Sequence, residues 1–69
     1  MNTKEIIGNH IKKLRNERNL SQRNFALMIG MGRTFLSNIE RGRQNVTLDT
    51  LEKIAGGLGM TVIDLFKSL

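Results

Sequence analysis

Hydrophobic residues recur every three or four positions along most of the chain, which is the spacing of one face of an α-helix. The first segment shows this clearly, because Ile7, Ile11 and Leu14 are separated by polar and charged side chains. No segment alternates apolar and polar residues for long enough to indicate a β-strand. The pattern therefore predicts an all-α fold in which five helices form a single domain over residues 1–69.

Capping residues and glycines divide this pattern into helices, because short polar side chains start helices and glycine commonly ends them. The side chains that can cap a helix start are Asn2 or Thr3, Ser21, Thr47 and Thr61. The residues expected to end helices are Asn19, Gly30, Gly42 and Gly59. Asp64 lies three residues after Thr61 and can complete a capping box. The third helix is expected to start near Gly32 or Arg33 and to run to about Arg41.

The last two helices each carry an apolar stripe that is expected to face the core. In the fourth helix it consists of Leu48, Leu51, Ile54, Ala55 and Leu58. In the fifth helix it consists of Val62, Leu65, Phe66 and Leu69. Gly56 and Gly57 interrupt the fourth helix, each at a cost of roughly 1 kcal/mol relative to alanine. Close packing and a frayed helix end both remain open as explanations.

The segment from Gln22 to Arg43 has the spacing of two short helices joined by a tight turn. Gly30 tolerates the positive φ that such a turn needs, and Ala26 is small enough to let the next helix approach. Met31, Leu36 and Ile39 supply apolar contacts from beyond the turn. This spacing is typical of a helix-turn-helix, although a generic helical hairpin could use the same residues.

The third helix has two chemically different faces. At about 100° per residue, Phe35, Leu36 and Ile39 point toward the core. The opposite face consists of Arg33, Thr34, Ser37, Asn38 and Arg41 and has no carboxylate, since Glu40 falls at the edge of the apolar stripe. Arginine can bind guanine and asparagine can bind adenine in the major groove. This face therefore predicts that a recognition helix over about residues 32–41 reads base edges in double-stranded DNA.

The charge distribution supports a polyanionic partner. The net charge of the chain is +5. Residues 12–43 carry eight Lys or Arg side chains and only two Glu, whereas the remainder carries three Lys and four acidic residues. Concentrated positive charge of this kind favours nucleic-acid binding, although a solvated basic surface would look the same.

The run LSQRNFALMIGMGRTFLSNIERGRQNVTLDTLEKIAGGLGMTVIDLF resembles the XRE or Cro-type phage-repressor family of helix-turn-helix proteins. The most specific pieces are LSQ before the second helix, the spacing of Ala26 and Gly30, and IERG at the end of the third helix. The stretch RTFLSNIERGRQNVTL also resembles restriction–modification controller proteins within that family. The resemblance implies a transcription regulator with a five-helix, phage-repressor-like DNA-binding domain.

The resemblance also implies roles for individual residues. The side chains expected to face base edges are Arg33, Thr34, Ser37 and, beside them, Asn38. Contacts to the DNA backbone are expected from Gln22, Arg23, Gly32, Arg41 and Arg43, of which Gln22, Arg41 and Arg43 come from the resemblance. Arg15 is expected to form a structural ion pair with Glu40. Gly32 departs from the family, which usually has Ser or Thr there, so a hydroxyl contact to DNA is lost.

A homodimer is expected from the fifth helix. Ile63 lies about 100° from Val62, off the apolar stripe, where relatives usually carry a polar residue. A single exposed isoleucine is also common and by itself means little. We expect a subunit contact at Ile63 and Phe66 beside the end of the fourth helix. A two-fold dimer would place two recognition helices about 34 Å apart on a near-palindromic operator.

Other functional classes find less support. The chain has no Cys, its single His10 is far in sequence from any partner cluster, and its six carboxylates lack metal-ligand spacing. We therefore expect no enzyme activity, no cofactor and no metal. No apolar run approaches the roughly 20 residues of a membrane span, so a cytoplasmic protein without a membrane partner is expected. An adaptor that binds an unknown protein partner and an RNA-binding protein are the alternatives, but only three Phe and no Tyr or Trp are present for stacking on RNA bases.

Overall fold

The computed structural model describes residues 2–69 and has the predicted all-α architecture. Its helices are α1 (Thr3–Glu17), α2 (Gln22–Met28), α3 (Arg33–Glu40), α4 (Leu48–Gly57) and α5 (Val62–Lys67). α3 packs on both α1 and α2, and α5 packs on α4. Within residues 2–69, no helix is both long and apolar enough to cross a membrane.

The helix starts are fixed by the polar side chains that the sequence indicates. Asn2 caps α1 in a full capping box, because its side chain accepts from the backbone N–H of Glu5 at 2.9 Å and the Glu5 carboxylate accepts from the Asn2 backbone. Thr61 and Asp64 form the same reciprocal pair at α5. Ser21 and Thr47 cap α2 and α4. These predicted starts are confirmed.

All five helices contribute to one hydrophobic core. Its buried apolar residues are Ile11, Leu14, Phe25, Ala26, Leu36, Ile39, Leu51, Ile54, Ala55, Leu58 and Leu65. Phe25 is the largest fully buried side chain. Burying a side chain of this size contributes roughly 1.5–3 kcal/mol relative to leaving it exposed.

The inner face of α3 differs from the prediction. The buried residues are Leu36, Ile39 and Glu40, whereas Phe35 keeps 36% of its surface exposed. The buried face is thus rotated away from Phe35 and toward Glu40. Burial of the Glu40 carboxylate is tolerated because hydrogen-bond donors from other helices satisfy both of its oxygens.

Three more residues expected in the core are exposed instead. Leu48 is 68% exposed, because it is the first residue of α4 and no earlier turn lies beneath its side chain. Leu69 lies beyond the end of α5, so the helical stripe does not reach it. Phe66 is 39% exposed. In the six-residue helix α5, only Val62 and Leu65 pack against the core.

Close packing of side chains against the α4 backbone explains Gly57 but not Gly56. A Cβ at Gly57 would collide with the side chains of Ile29 and Phe25, whereas a Cβ at Gly56 would meet open space. Gly8 in α1 is a further close approach that the sequence analysis did not assign, because a Cβ there would collide with the backbone of Ile39 and Glu40. Because glycine has no side chain, Gly8 therefore lets α1 lie directly against the end of α3.

His10 connects α1 to the end of α5. Its Nε2 lies 3.1 Å from the carbonyl oxygen of Leu65 and 2.7 Å from the hydroxyl of Ser68. The Ser68 hydroxyl also donates to the same Leu65 carbonyl at 2.9 Å. A structural role for His10 follows from this geometry.

Candidate nucleic-acid interface

The turn between α2 and α3 has the geometry that its sequence indicates. Gly30 adopts φ +67°, and the Met31 N–H donates to the carbonyl of Ala26 at 2.9 Å. Ala26 is fully buried beneath this turn. Gly32 is the N-cap of α3, and no side chain there occupies the first N–H groups of the helix. The turn thus holds the start of α3 at the molecular surface.

The structure brings the predicted base-reading residues together. Arg33 and Thr34 are exposed, and Ser37 and Asn38 are half-buried. These residues surround a shallow depression of about 270 Å³, together with Gln22 and Arg41. The depression has cationic, hydroxyl and amide groups on its walls and no carboxylate. These are the groups that bind base edges and phosphates.

A buried polar network supports this surface from behind. The guanidinium of Arg15 donates to Glu40 through two nitrogens, with Nε–Oε2 at 2.8 Å and Nη2–Oε1 at 2.9 Å. Arg15 also donates to the carbonyl of Leu20, which precedes α2. Gln22 donates from Nε2 to Oε1 of Glu40 at 3.0 Å. The network therefore joins α1, α2 and α3 and fixes the amide of Gln22.

A second depression of about 450 Å³ adjoins the first. Its walls are formed by Asn9, Lys12, Gln22, Glu40, Arg41 and Arg43. Gln22 and Arg41 line both depressions, so the polar surface continues from the outer face of α3 to α1. The roles of Asn9 and Lys12 have no signal in the sequence, because only the folded chain brings them beside Arg43.

The basic segment divides into structural and exposed cations. Arg15 is buried in its ion pair, and Arg18 donates to the carbonyls of Leu58 and Leu14 at 3.0 and 2.9 Å. The other six are exposed: Lys12, Lys13, Arg23, Arg33, Arg41 and Arg43. In the part of the chain that the structure describes, none of these six forms a salt bridge. Their positive charge is thus open to an external anion.

Four of the residues predicted to bind DNA or to form the dimer interface lie outside the two depressions. Arg23 and Gly32 are exposed but line neither one. Ile63 is 66% exposed on α5, and Phe66 is partly exposed on the same helix. Ile63 borders a separate depression of about 410 Å³, together with Glu52, Met60, Thr61 and Val62. The α5 surface is therefore distinct from the polar surface around α3.

Comparisons with known proteins agree with this geometry. The helix-turn-helix family pattern matches residues 11–65. The control protein C.MunI of Mycoplasma sp. is 51% identical over 63 residues, which cover 90% of this chain and 85% of that protein.

Two solved structures of controller proteins share the fold. The restriction–modification controller C.AhdI from Aeromonas hydrophila superposes with a TM-score of 0.83 at 33% identity, over 87% of this chain and 91% of that one. The controller C.Esp1396I, solved as a tetramer in complex with its natural 35 base-pair operator, superposes with a TM-score of 0.85 at 33% identity, over 93% of this chain and 84% of that one. The predicted family and fold are confirmed, and the chain belongs to the XRE-type helix-turn-helix family.

Proposed function

We propose that this chain is a sequence-specific DNA-binding transcription regulator that places α3 in the major groove. The outer face of α3 carries the proposal, because it joins cationic, hydroxyl and amide groups around one depression without a carboxylate. An α-helix fits the major groove of B-DNA, where each base pair presents a distinct donor and acceptor pattern. The complex of C.Esp1396I with its operator supports the same use of this fold.

The proposed contacts divide into reading and positioning. Arg33, Thr34 and Ser37 read base edges, with Asn38 beside them. The residues proposed to contact the DNA backbone are Gln22, Arg23, Gly32, Arg41 and Arg43. Gln22 and Arg41 line the same depression as the proposed reading residues, which supports a phosphate contact next to a base contact. Phosphate contacts of this kind fix the register of the protein on the duplex.

The regulator acts as a homodimer on a near-palindromic operator, with the subunit contact at Ile63 and Phe66. Exposed apolar area on α5 supports this contact. The protein has no enzyme activity and needs no cofactor or metal, and it works in the cytoplasm. Within residues 2–69, no group of three His, Cys, Asp or Glu side chains is arranged to hold a metal ion.

A restriction–modification controller is the narrower form of this proposal. Its support is the 51% identity to C.MunI across nearly the full length of both chains. Binding of this protein to the promoter of a restriction–modification gene pair from its own host would support that role. Selective binding to unrelated promoters, with none to that one, would contradict it.

Selection of bound sites from a random duplex library tests the proposed function directly. A near-palindromic consensus should emerge, and Arg33→Ala together with Ser37→Ala should weaken binding to it in a gel shift. Binding of the wild type should fall about 10³–10⁵-fold between 50 and 200 mM salt if roughly 6–10 phosphates are contacted. A flat salt response, or a selection without a consensus, would contradict sequence-specific DNA binding.

The protein adaptor is the main alternative and predicts a different surface. An adaptor that used α3 would present exposed apolar side chains on its outer face. The most exposed apolar residues of the helix-turn-helix are instead Leu27 and Met28 on α2. A wild type that selects no consensus, and whose weak binding to random duplexes is unchanged when Arg33 and Ser37 are both replaced, would favour the adaptor.

A further inference from the structure

The depression between α1 and α3 extends the polar surface beyond the helix-turn-helix. Lys12, on α1, lines the same depression as Gln22, Arg41 and Arg43. Because Gln22 and Arg41 also border the base-reading depression, a duplex held against α3 would pass its backbone close to this second depression. The position of Lys12 is thus tied to the DNA-facing side of the molecule.

The charge of this depression is unbalanced. Three cations, Lys12, Arg41 and Arg43, line it together with one carboxylate. That carboxylate belongs to Glu40, whose side chain is only 2% exposed and is paired with Arg15. Among the residues that line this depression, the three cations therefore have no accessible carboxylate, and a bound anion would relieve their mutual repulsion.

A hydrogen-bond donor is also held in place there. Glu40 can only accept, so its contact with Gln22 identifies the bound end of that amide as the NH₂ group. One N–H of Gln22 is used in this bond, and the second has no partner among the described residues. The depression thus combines three positive charges with an oriented amide donor, a combination suited to phosphate oxygens.

We propose that this depression binds one phosphate group of the DNA backbone and that Lys12 contributes a charge to it from α1. This rests on the proposed function, since the phosphate belongs to the duplex that α3 reads. Lys12 is a point charge on a flexible stem and can reach the phosphate without restricting base identity. It acts as a backbone-binding residue outside the helix-turn-helix.

Lys13 provides a matched control. It is exposed on α1 next to Lys12, and both lysines line a depression that includes Glu17, but only Lys12 also lines the depression with Gln22, Arg41 and Arg43. Replacement of either lysine by glutamine removes one positive charge and keeps a good helix former. Both variants are therefore expected to fold, and they differ in whether the lost charge faces the proposed phosphate.

The experiment measures affinity of the full chain for its selected operator duplex by fluorescence anisotropy at several salt concentrations. Each phosphate contact contributes about −0.9 to the slope of the logarithm of the binding constant against the logarithm of the salt concentration. Loss of one contact therefore lowers the affinity roughly eightfold at about 0.1 M salt. Lys12→Gln should therefore weaken binding roughly eightfold per bound subunit and reduce the salt slope by about 0.9 per subunit. Lys13→Gln should stay within about twofold of the wild type because its charge is farther away and screened. Lys12→Arg, which keeps the charge, should bind nearly as well as the wild type.

Equal behaviour of Lys12→Gln and Lys13→Gln would overturn the assignment of Lys12. A change in base preference with Lys12→Gln would also overturn it, since a phosphate contact carries no sequence information. In both cases a wild type that still binds its selected site keeps the proposed function intact. A wild type that selects no site would instead contradict the proposed function itself.

Discussion

Arg15 and Glu40 form a bidentate ion pair that is almost completely buried. Their contacts are 2.8 and 2.9 Å, and the side chains are 6% and 2% exposed. Glu40→Ala should lower the free energy of unfolding by about 3–5 kcal/mol, because it leaves the buried Arg15 charge unpaired. Urea denaturation at neutral pH measures this loss.

A double variant distinguishes the loss of the ion pair from the cost of leaving one buried charge unpaired. Arg15→Met with Glu40→Met removes both charges and keeps apolar volume, so it should be less destabilised than either single variant. Gln22 loses its acceptor both in Glu40→Ala and in the double variant, so this loss cancels when those two variants are compared. Glu40→Ala with wild-type stability would show that the pair does not stabilise the fold.

The adjacent glycines of α4 are expected to respond in opposite directions to alanine. Gly57→Ala should destabilise the protein by about 1–3 kcal/mol, because its new methyl group would overlap Ile29 and the buried ring of Phe25. Gly56→Ala should stabilise it by up to about 1 kcal/mol, since the position is exposed and alanine favours the helix. Thermal unfolding of the two variants measures both effects. Equal shifts of the same sign would contradict this packing.

The helix boundaries could be predicted because their causes are local. Ser21, for example, needs only the backbone three residues later to cap α2. The apolar face of α3 was misjudged at Phe35, because the buried face turns toward Glu40 and its burial depends on Arg15, which lies 25 residues earlier. Periodicity placed Glu40 only at the edge of the apolar stripe, whereas the family resemblance supplied Arg15 as its partner.

Other contacts between distant segments, those of Gly8, His10 and Lys12, had no sequence signal. Gly8 looks like an ordinary weak point in α1 until the end of α3 lies against it. His10 and Lys12 were likewise uninformative, since their neighbours in the fold lie on α5 and around α3. The outer face of α3 was predictable from periodicity, but its connection to α1 required the packed structure.

Base reading and phosphate binding should separate in two variants. Arg33→Ala should cost about 1–3 kcal/mol at one base pair per half-site and relax the preference there. Gln22→Ala should weaken binding to all sequences about equally, since a phosphate contact does not depend on the base. Affinities across a panel of single-base operator variants distinguish the two patterns. Unfolding curves for Gln22→Ala provide the control, because this change also removes a hydrogen bond to Glu40. The same pattern across the panel for both variants would contradict the assigned roles.

The dimer contact can be tested at Ile63 on α5. Ile63→Asp introduces a charge on a side chain that is 66% exposed in the single chain, so folding should persist while an apolar subunit contact would be lost. Leu48→Asp is a matched control, because Leu48 is 68% exposed and both residues lie in the first turn of a helix. Acidic residues are favourable in a first turn, so neither change should weaken its own helix.

Sedimentation and gel shifts on full and half operators give the readout. Ile63→Asp should be monomeric and should lose the advantage of the full site, because two recognition helices about 34 Å apart are no longer held together. Its binding to a half-site should match that of the wild-type monomer, and Leu48→Asp should remain dimeric. A dimeric Ile63→Asp protein would place the subunit contact elsewhere. A wild type that stays monomeric even on the full operator would exclude the dimer, because a single α3 would then account for all of the observed affinity.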